Sequence, residues 1–254
     1  TPTGDLIWAR KFGEGANLKA YGLLVRGNEI FTVGGFSGNA DFDPGPGTLI
    51  YSGQFEGFVN RLDQNGDFIS AWHLEQLSVW TFTPKRICTA GVDDILVAGE
   101  FSGLVDFDPT PVLYQQGSAG GYDGFVCRYI STGQLIWGAP FGGLGNDNIS
   151  AISVDANEDI ILTGWFENTV DFDPGPATYN LTSGGFSNIF LTRLSGAGTL
   201  IWAGSVVGAN YVYDMDLDEF GNIYLIGIYA VLADFDLGLG SYPLASAGSW
   251  GFIG

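Results

Sequence analysis

One short motif recurs along this chain and dictates most of what it can fold into. Asp41-Phe-Asp-Pro-Gly returns as Asp106-Phe-Asp-Pro-Thr, Asp171-Phe-Asp-Pro-Gly and Asp234-Phe-Asp-Leu-Gly, at spacings of 65, 65 and 63 residues. Three further markers keep the same rhythm. An aromatic stands five residues before each acidic pair (Phe36, Phe101, Phe166, Tyr229). Gly4-Asp-Leu-Ile-Trp is echoed at Gly66, Gly133 and Gly198. A Phe-x-x-Arg segment ends at Arg61, Arg128 and Arg193. Four markers in constant order define four copies of one unit, a periodicity typical of solenoids and propellers. The units span approximately 13–74, 75–141, 142–206 and 207–254, with an N-terminal strand at 5–12, and together make one domain.

Within a unit the residues read as strands. In the third, Asn148 to Val154 is a first strand and Asp155-Ala-Asn-Glu-Asp its turn. Ile160 to Phe166 is a second strand that continues through Thr169-Val-Asp-Phe-Asp into the Pro174-Gly-Pro turn. Phe190 to Leu194 and Leu200 to Val206 are the third and fourth. Forty glycines, ten prolines and 15% aromatics fit many short strands joined by tight turns. A sheet of four strands has two faces to cover, and stacking successive sheets covers both. The expected fold is all-β: a β-propeller of four-stranded blades, four repeats of about 65 residues being visible. An open or stacked β-solenoid is the competing arrangement. The chain starts in a fourth-strand segment and stops in a third-strand segment at Gly251-Phe-Ile-Gly254, which reads either as a four-bladed ring in which one terminus supplies the strand the other lacks or, slightly preferred, as a piece of a longer propeller.

The Asp-Phe-Asp-Pro-Gly runs, the Gly57 to Asp67 segment and Leu-Ile-Trp-Ala resemble the bacterial SBBP-type β-propeller repeat. The resemblance covers essentially the whole chain. It implies a secreted or surface protein of the kind found in Bacteroidetes and their relatives. It implies no shared catalytic residues and names no ligand.

Charge limits the partners. Twenty-eight acids against nine bases give a formal −19, which repels phosphate, so nucleic acid is not an expected partner. The longest nearly unbroken apolar stretch, Ile223 to Ala233, is too short for a bilayer span, so no membrane insertion is expected.

Eight acids are the best site candidates: Asp41 and Asp43, Asp106 and Asp108, Asp171 and Asp173, Asp234 and Asp236. Residues i and i+2 of a strand share a face, so each pair offers two hard oxygen ligands beside a turn, a candidate Ca2+ site. The competing reading has the intervening phenylalanine anchor the hairpin while the carboxylates accept from turn amides. Arg61, Arg128 and Arg193 are read as a repeated structural clamp on carboxylates of their own unit, the Asp pairs being the neighbours at hand. Trp8, Trp137 and Trp202 share one position, suited to filling the space between units or to stacking on sugars. Trp80, Trp165 and Trp250 are individual, as candidate exposed aromatics.

Catalysis is not expected. His73 is the single histidine, no serine sits in a G-x-S-x-G frame, and acidic pairs repeated in every unit do not suit a glycosidase site. No cofactor other than Ca2+ is implied. Cys88 and Cys127 fall on strands that flank a third, about 9.5 Å apart, too far for a disulfide, and are expected free and buried. Asn148-Ile-Ser and Asn180-Leu-Thr fit the glycosylation sequon. The expected function is a non-catalytic extracellular or cell-surface module that binds a glycan, protein or matrix partner. The competing class is a scaffold or spacer without a ligand.

Overall fold

The computed structural model describes every residue except 79, 80, 185, 186, 238 and 239, and every side chain except also those of 209, 230, 231, 246, 247 and 249. The described residues contain no helix. The chain forms β1 (Glu14–Arg26), β2 (Glu29–Asp41), β3 (Ile50–Asp63) and β4 (Phe68–Leu74), which pair in sequence order as one antiparallel sheet. A second four-stranded sheet follows from β5 (Phe82–Ala90), β6 (Asp94–Phe101), β9 (Asp123–Ile130) and β10 (Leu135–Phe141). Between β6 and β9 projects a small hairpin of β7 (Leu104–Asp106) and β8 (Gln115–Gly117). The third unit repeats this plan with β11 (Asp147–Val154), β12 (Ile160–Phe166), the hairpin β13 (Thr169–Asp171) and β14 (Asn180–Thr182), β15 (Asn188–Leu194) and β16 (Leu200–Leu217). The chain ends with β17 (Ile223–Asp234) and β18 (Pro243–Ile253).

Three expectations need correction. Thr169-Val-Asp does not continue β12 but forms the separate β13, because at Asn168, with φ 63°, the chain leaves the sheet and its amide donates to Ser183 Oγ at 2.8 Å. The strand expected to end at Val206 runs on to Leu217. As β16 it pairs with β15 through its first half and with β17 through its second, so β11, β12, β15, β16, β17 and β18 form one six-stranded sheet. Residues 5–12 form no strand, since no other strand pairs with their backbone. They are held by side chains, with the Phe12 ring 6.2 Å from that of Phe42 and 5.9 Å from that of Phe58.

The core follows from the alternation of strand side chains. On β6, Ile95 and Val97 join Phe31, Val33, Val59 and Leu74 of the first sheet, whereas Leu96 and Ala98 join Ile149, Ile160 and Leu162 of the third unit. On β12 the rule repeats: Ile160 and Leu162 face the second sheet, and Ile161 faces Val212, Leu225 and Tyr229. A strand buried on both faces reads as a continuous apolar run. At about 25 cal/mol per Å2, removing these faces from water is the dominant stabilising effect.

A candidate interaction surface on the first strands

The first strands of the units, β1, β5, β11 and the second half of β16, lie beside one another in that order: β1 contacts β5, β5 contacts β11, and β11 contacts β16. Each carries a β-bulge at the same place. In β1 the register passes from Ala20 opposite Gly34 to Gly22 opposite Val33, leaving Tyr21 as the extra residue. Lys85 in β5, Ser150 in β11 and Tyr213 in β16 are extra in the same way, next to pairs formed by Gly99, Gly164 and Gly227. The glycines are required by contact. A Cβ at Gly34, Gly99, Gly164 or Gly227 would overlap the carbonyl oxygen of Lys19, Thr83, Asn148 or Tyr211, two residues before each bulge. Gly34 is therefore the first member of this series.

A bulge kinks its strand and re-aims a side chain. Here the backbone device repeats four times while the side chain it presents does not: tyrosine in the first and fourth units, lysine in the second, serine in the third. Around it sit Lys19, the Lys85–Glu100 ion pair at 2.7 Å and Asn148, whose amide donates to Glu100 at 2.7 Å. Trp165 meets Tyr211 edge-on at 5.6 Å. Arg86 donates to the Tyr213 carbonyl at 3.5 Å, spanning from the second unit to the fourth. The first strands thus form one continuous lining with mixed polar and aromatic character.

The acidic pairs serve the hairpins. Asp41 Oδ1 accepts from the amides of Asp43 and Leu49, Asp106 Oδ1 from Asp108 and Tyr114, Asp171 Oδ1 from Asp173 and Tyr179, and Asp234 Oδ1 from Asp236 and Tyr242, all at 2.8–3.1 Å. The Tyr242 and Asp236 amides hold the Asp234 carboxyl below the usual range. The second acids Asp43, Asp108 and Asp173 accept from Gly45, Thr110 and Gly175 at 2.7–2.9 Å. Between them, Phe42, Phe107 and Phe172 are fully buried. Each ring stands edge-on to the second-strand Phe36, Phe101 or Phe166 at 5.3–5.4 Å, and within 5.3 Å of the third-strand Phe58, Phe125 or Phe190. Phe235 makes the same pair of contacts with Tyr229 and Phe252. Among the described residues no three acids, histidines or cysteines converge as a metal shell.

The arginine clamp has other partners than the Asp pairs. Arg61 pairs with Glu29, Arg128 with Asp94 at 2.8 Å, and Arg193 with Asp155 and with Asp159 at 2.8 Å. These acids flank the turn between first and second strands. The second strand brings Glu29, Asp94 and Asp159 across to the arginine, whereas the Asp pairs lie at or beyond its far end. Two clamps also reach the next unit: Arg61 donates to Ser131 O at 3.4 Å and Arg128 to Gly196 O at 2.6 Å.

Tryptophans join units at the same place. Trp8 Nε1 donates to Gln64 O at 2.9 Å and Trp137 Nε1 to Gly196 O at 3.2 Å. Their rings lie over turn glycines of the following unit, Gly66 and Gly198, which have φ of 78° and 81° and where a Cβ would press within about 3 Å of the ring. Trp72 covers Gly133 likewise, from a position two residues along. Trp202 packs partly buried into the core between the third and fourth units. Trp165 is half-buried on the first-strand lining, Trp250 is exposed, and Trp80 lies outside the described residues.

Sequence reasoning missed a repeated tyrosine. Tyr51, Tyr114 and Tyr179 donate their hydroxyls to the fourth-strand carbonyls of Ala71, Gly138 and Ala203 at 2.8–3.0 Å. The eight-residue offset from Asp106 to Tyr114 and from Asp171 to Tyr179 was the available signal; in the first unit it is ten. Also missed are the carboxylates that open the third strands. Burial pushes the Glu56 carboxyl up to about 7, with Glu75 adding to it, and its Oε2 lies 3.5 Å from His73 Nε2. Burial pushes Asp123 up to about 6 against the pull of the Ala119 and Gly120 amides. Asp147, on the adjoining first strand, rises to about 7 through burial, opposed by the Gly143 and Glu167 amides and raised further by the charges of Asp123 and Glu167.

Cys88 and Cys127 are free thiols, Cys127 fully buried and Cys88 partly so. Burial pushes the Cys88 thiol up to about 12, far from a reactive thiolate. Asn148 is buried with its amide on Glu100, which removes it as a glycosylation acceptor, while Asn180 is exposed.

No family model matches the chain. An uncharacterized WD repeat-containing protein of Acanthamoeba polyphaga mimivirus is 25% identical over 229 residues. The match covers 78% of this chain and 16% of that relative, so the chain spans a small part of its relative's length.

Proposed function

We propose that the chain is part of a β-propeller whose first-strand lining binds a protein partner, without catalysis. The observation that carries this reading is the repeated bulge: backbone geometry kept in four copies, presenting side chains that are not. A repeat that served packing alone would repeat the side chain as well. The similarity to a WD repeat-containing protein supports a propeller built for protein interaction. The units here are longer than the roughly 40–45 residues of a WD repeat. The extra length is the connection that carries the Asp-Phe-Asp hairpin. The SBBP-type resemblance supports placing this module at the cell surface or outside the cell. Ca2+ has no part in this reading.

One observation favours the scaffold reading. Ile69, Ile136 and Ile201, the repeated isoleucines of the fourth strands, are 41–49% exposed and form a regular apolar feature suited to packing against another surface.

The test immobilises the chain and captures proteins from its source by cross-linking. The triple variant Tyr21→Ser, Lys85→Ser, Tyr213→Ser places the third unit's residue at every bulge and is expected to keep its melting temperature and lose the partner. A triple Ser variant at Ile69, Ile136 and Ile201 is expected to retain it. Capture lost only in the isoleucine variant would replace the lining with the outer strands, and selective glycan-array signals without protein capture would replace the partner class.

A further inference from the structure

One second-strand position decides what fills the space between a unit and the next. It lies directly opposite a first-strand residue: Gly35 opposite Lys19, Glu100 opposite Thr83 and Trp165 opposite Asn148. Between the second and third units the space holds a carboxylate. Glu100 pairs there with Lys85 at 2.7 Å and accepts from the Asn148 side-chain amide at 2.7 Å. Between the third and fourth units it holds a ring, Trp165 meeting Tyr211 edge-on at 5.6 Å. Tyr211 stands in the fourth unit where Asn148 stands in the third, two residues before the bulge.

Between the first and second units the position is Gly35, and the space is a cavity of about 190 Å3 lined by Lys19, Tyr21, Ser37, Phe55, Thr81 and Thr83 among others. Packing does not demand this glycine. A Cβ at Gly35 would meet nothing closer than 3.6 Å, and the side-chain atom it would approach is Thr83 Oγ1 at 3.9 Å. Thr83 stands where the third unit has Asn148, and Tyr21 where the second has Lys85, so both counterparts of the Glu100 partners line the cavity. Lys19 shares a face with Gly35, since directly opposed residues of a sheet point the same way. Among the described residues it forms no ion pair. Phe55 adds a half-exposed ring.

We infer that this cavity binds a small monocarboxylate built on a six-membered ring, its carboxylate on Lys19 and its ring in the space before Thr83. The chain's own occupants of the two equivalent places select this chemistry: a carboxylate held by a lysine in one, an aromatic ring in the other. Size agrees. A cavity of about 150 Å3 takes a benzene ring, so about 190 Å3 holds one ring with its carboxylate. A single negative charge suits the site, because a chain of formal charge −19 repels a multiply charged anion. This site goes beyond partner binding and does not depend on it.

Calorimetric titration of the chain with benzoate, glucuronate, benzamide and acetate tests it. A ring acid is expected to bind about tenfold or more tightly than benzamide, which lacks the charge, and acetate, which lacks the ring. Whichever ring acid binds more tightly identifies the source as an aromatic acid or an acidic sugar. Lys19→Gln is expected to weaken the better acid by about tenfold or more, Lys19→Arg to preserve it and Lys11→Gln to leave it unchanged. Gly35→Glu places the second unit's carboxylate opposite Lys19 and is expected to abolish binding without lowering the melting temperature. If it does lower the melting temperature, Lys19→Gln alone decides. No heat with either ring acid, equal binding of benzamide or acetate, or binding that survives Lys19→Gln would overturn the site.

Discussion

Asp123→Asn is expected to stabilise the protein at pH 8 and to give no gain at pH 5. The side chain is 2% exposed; Oδ2 accepts from the Ala119 amide at 2.8 Å, and Oδ1 has no partner. Its carboxyl is raised from 3.8 to about 6, so the folded state holds the proton more tightly than the unfolded chain. For a raised carboxyl this contribution is fully favourable below about pH 4 and is lost as pH rises through the folded value. Two units at 1.36 kcal/mol each amount to about 3 kcal/mol. Asparagine removes the ionisation and keeps an oxygen for Ala119, but places an unpaired amide where Oδ1 stood, at a cost of about 1–2 kcal/mol. The net gain at pH 8 is about 1–2 kcal/mol, or roughly 4 °C in melting temperature at this chain length. The third unit already carries asparagine here, Asn188, which accepts from the Gly208 amide at 3.4 Å. Scanning calorimetry at pH 5 and pH 8 decides the matter. Carboxylates held below their usual values, such as Glu29, remain ionised across that window, so they do not obscure the result. An equal offset at both pH values, or a lower melting temperature for the variant at pH 8, would refute the reasoning.

The other predictions concern the clamp, an orphaned amide and the acidic pairs. Arg128→Ala strands Asp94, in a pair whose side chains are 15% and 19% exposed, and is expected to cost about 2–3 kcal/mol in a denaturant titration, between exposed and buried pairs. An unchanged midpoint would remove the clamp. Asn60 is fully buried and neither its oxygen nor its nitrogen has a partner. The third unit has Thr192 there, donating to Trp202 O at 3.1 Å, so Asn60→Thr is expected to raise stability by about 1–2 kcal/mol, and a loss would refute this. Because Oδ1 of Asp41, Asp106, Asp171 and Asp234 is taken by two amides in each case, millimolar calcium is expected to leave the melting temperature unchanged. A rise, or heat on titration, would restore the metal reading.

The repeat was legible because packing repeats the same side chains. Phe42, Phe107, Phe172 and Phe235 meet identical or nearly identical partners in each unit, so one motif stood for four contacts. The bulges were not legible. An extra residue in a strand leaves no mark when its side chain is free to vary, and only the facing glycine betrays it. In the first unit two successive glycines, Gly34 and Gly35, hide even that. The clamp partners escaped for a related reason: Glu29, Asp94 and Asp159 meet their arginines through strand register, which spacing along the chain does not give.

The tryptophan laid over the next unit's turn glycine has a consequence for how such chains change in length. At three joints, Trp8 on Gly66, Trp72 on Gly133 and Trp137 on Gly198, a ring from one fourth-strand segment covers a positive-φ turn glycine of the following unit, so the joint is head-to-tail. Such a joint dictates which way a neighbour must face but is indifferent to how many neighbours there are. Duplicating or deleting a whole unit among these three joints leaves each of their rings a glycine to cover, whereas shifting the chain by a few residues within a unit unseats the joint on both sides.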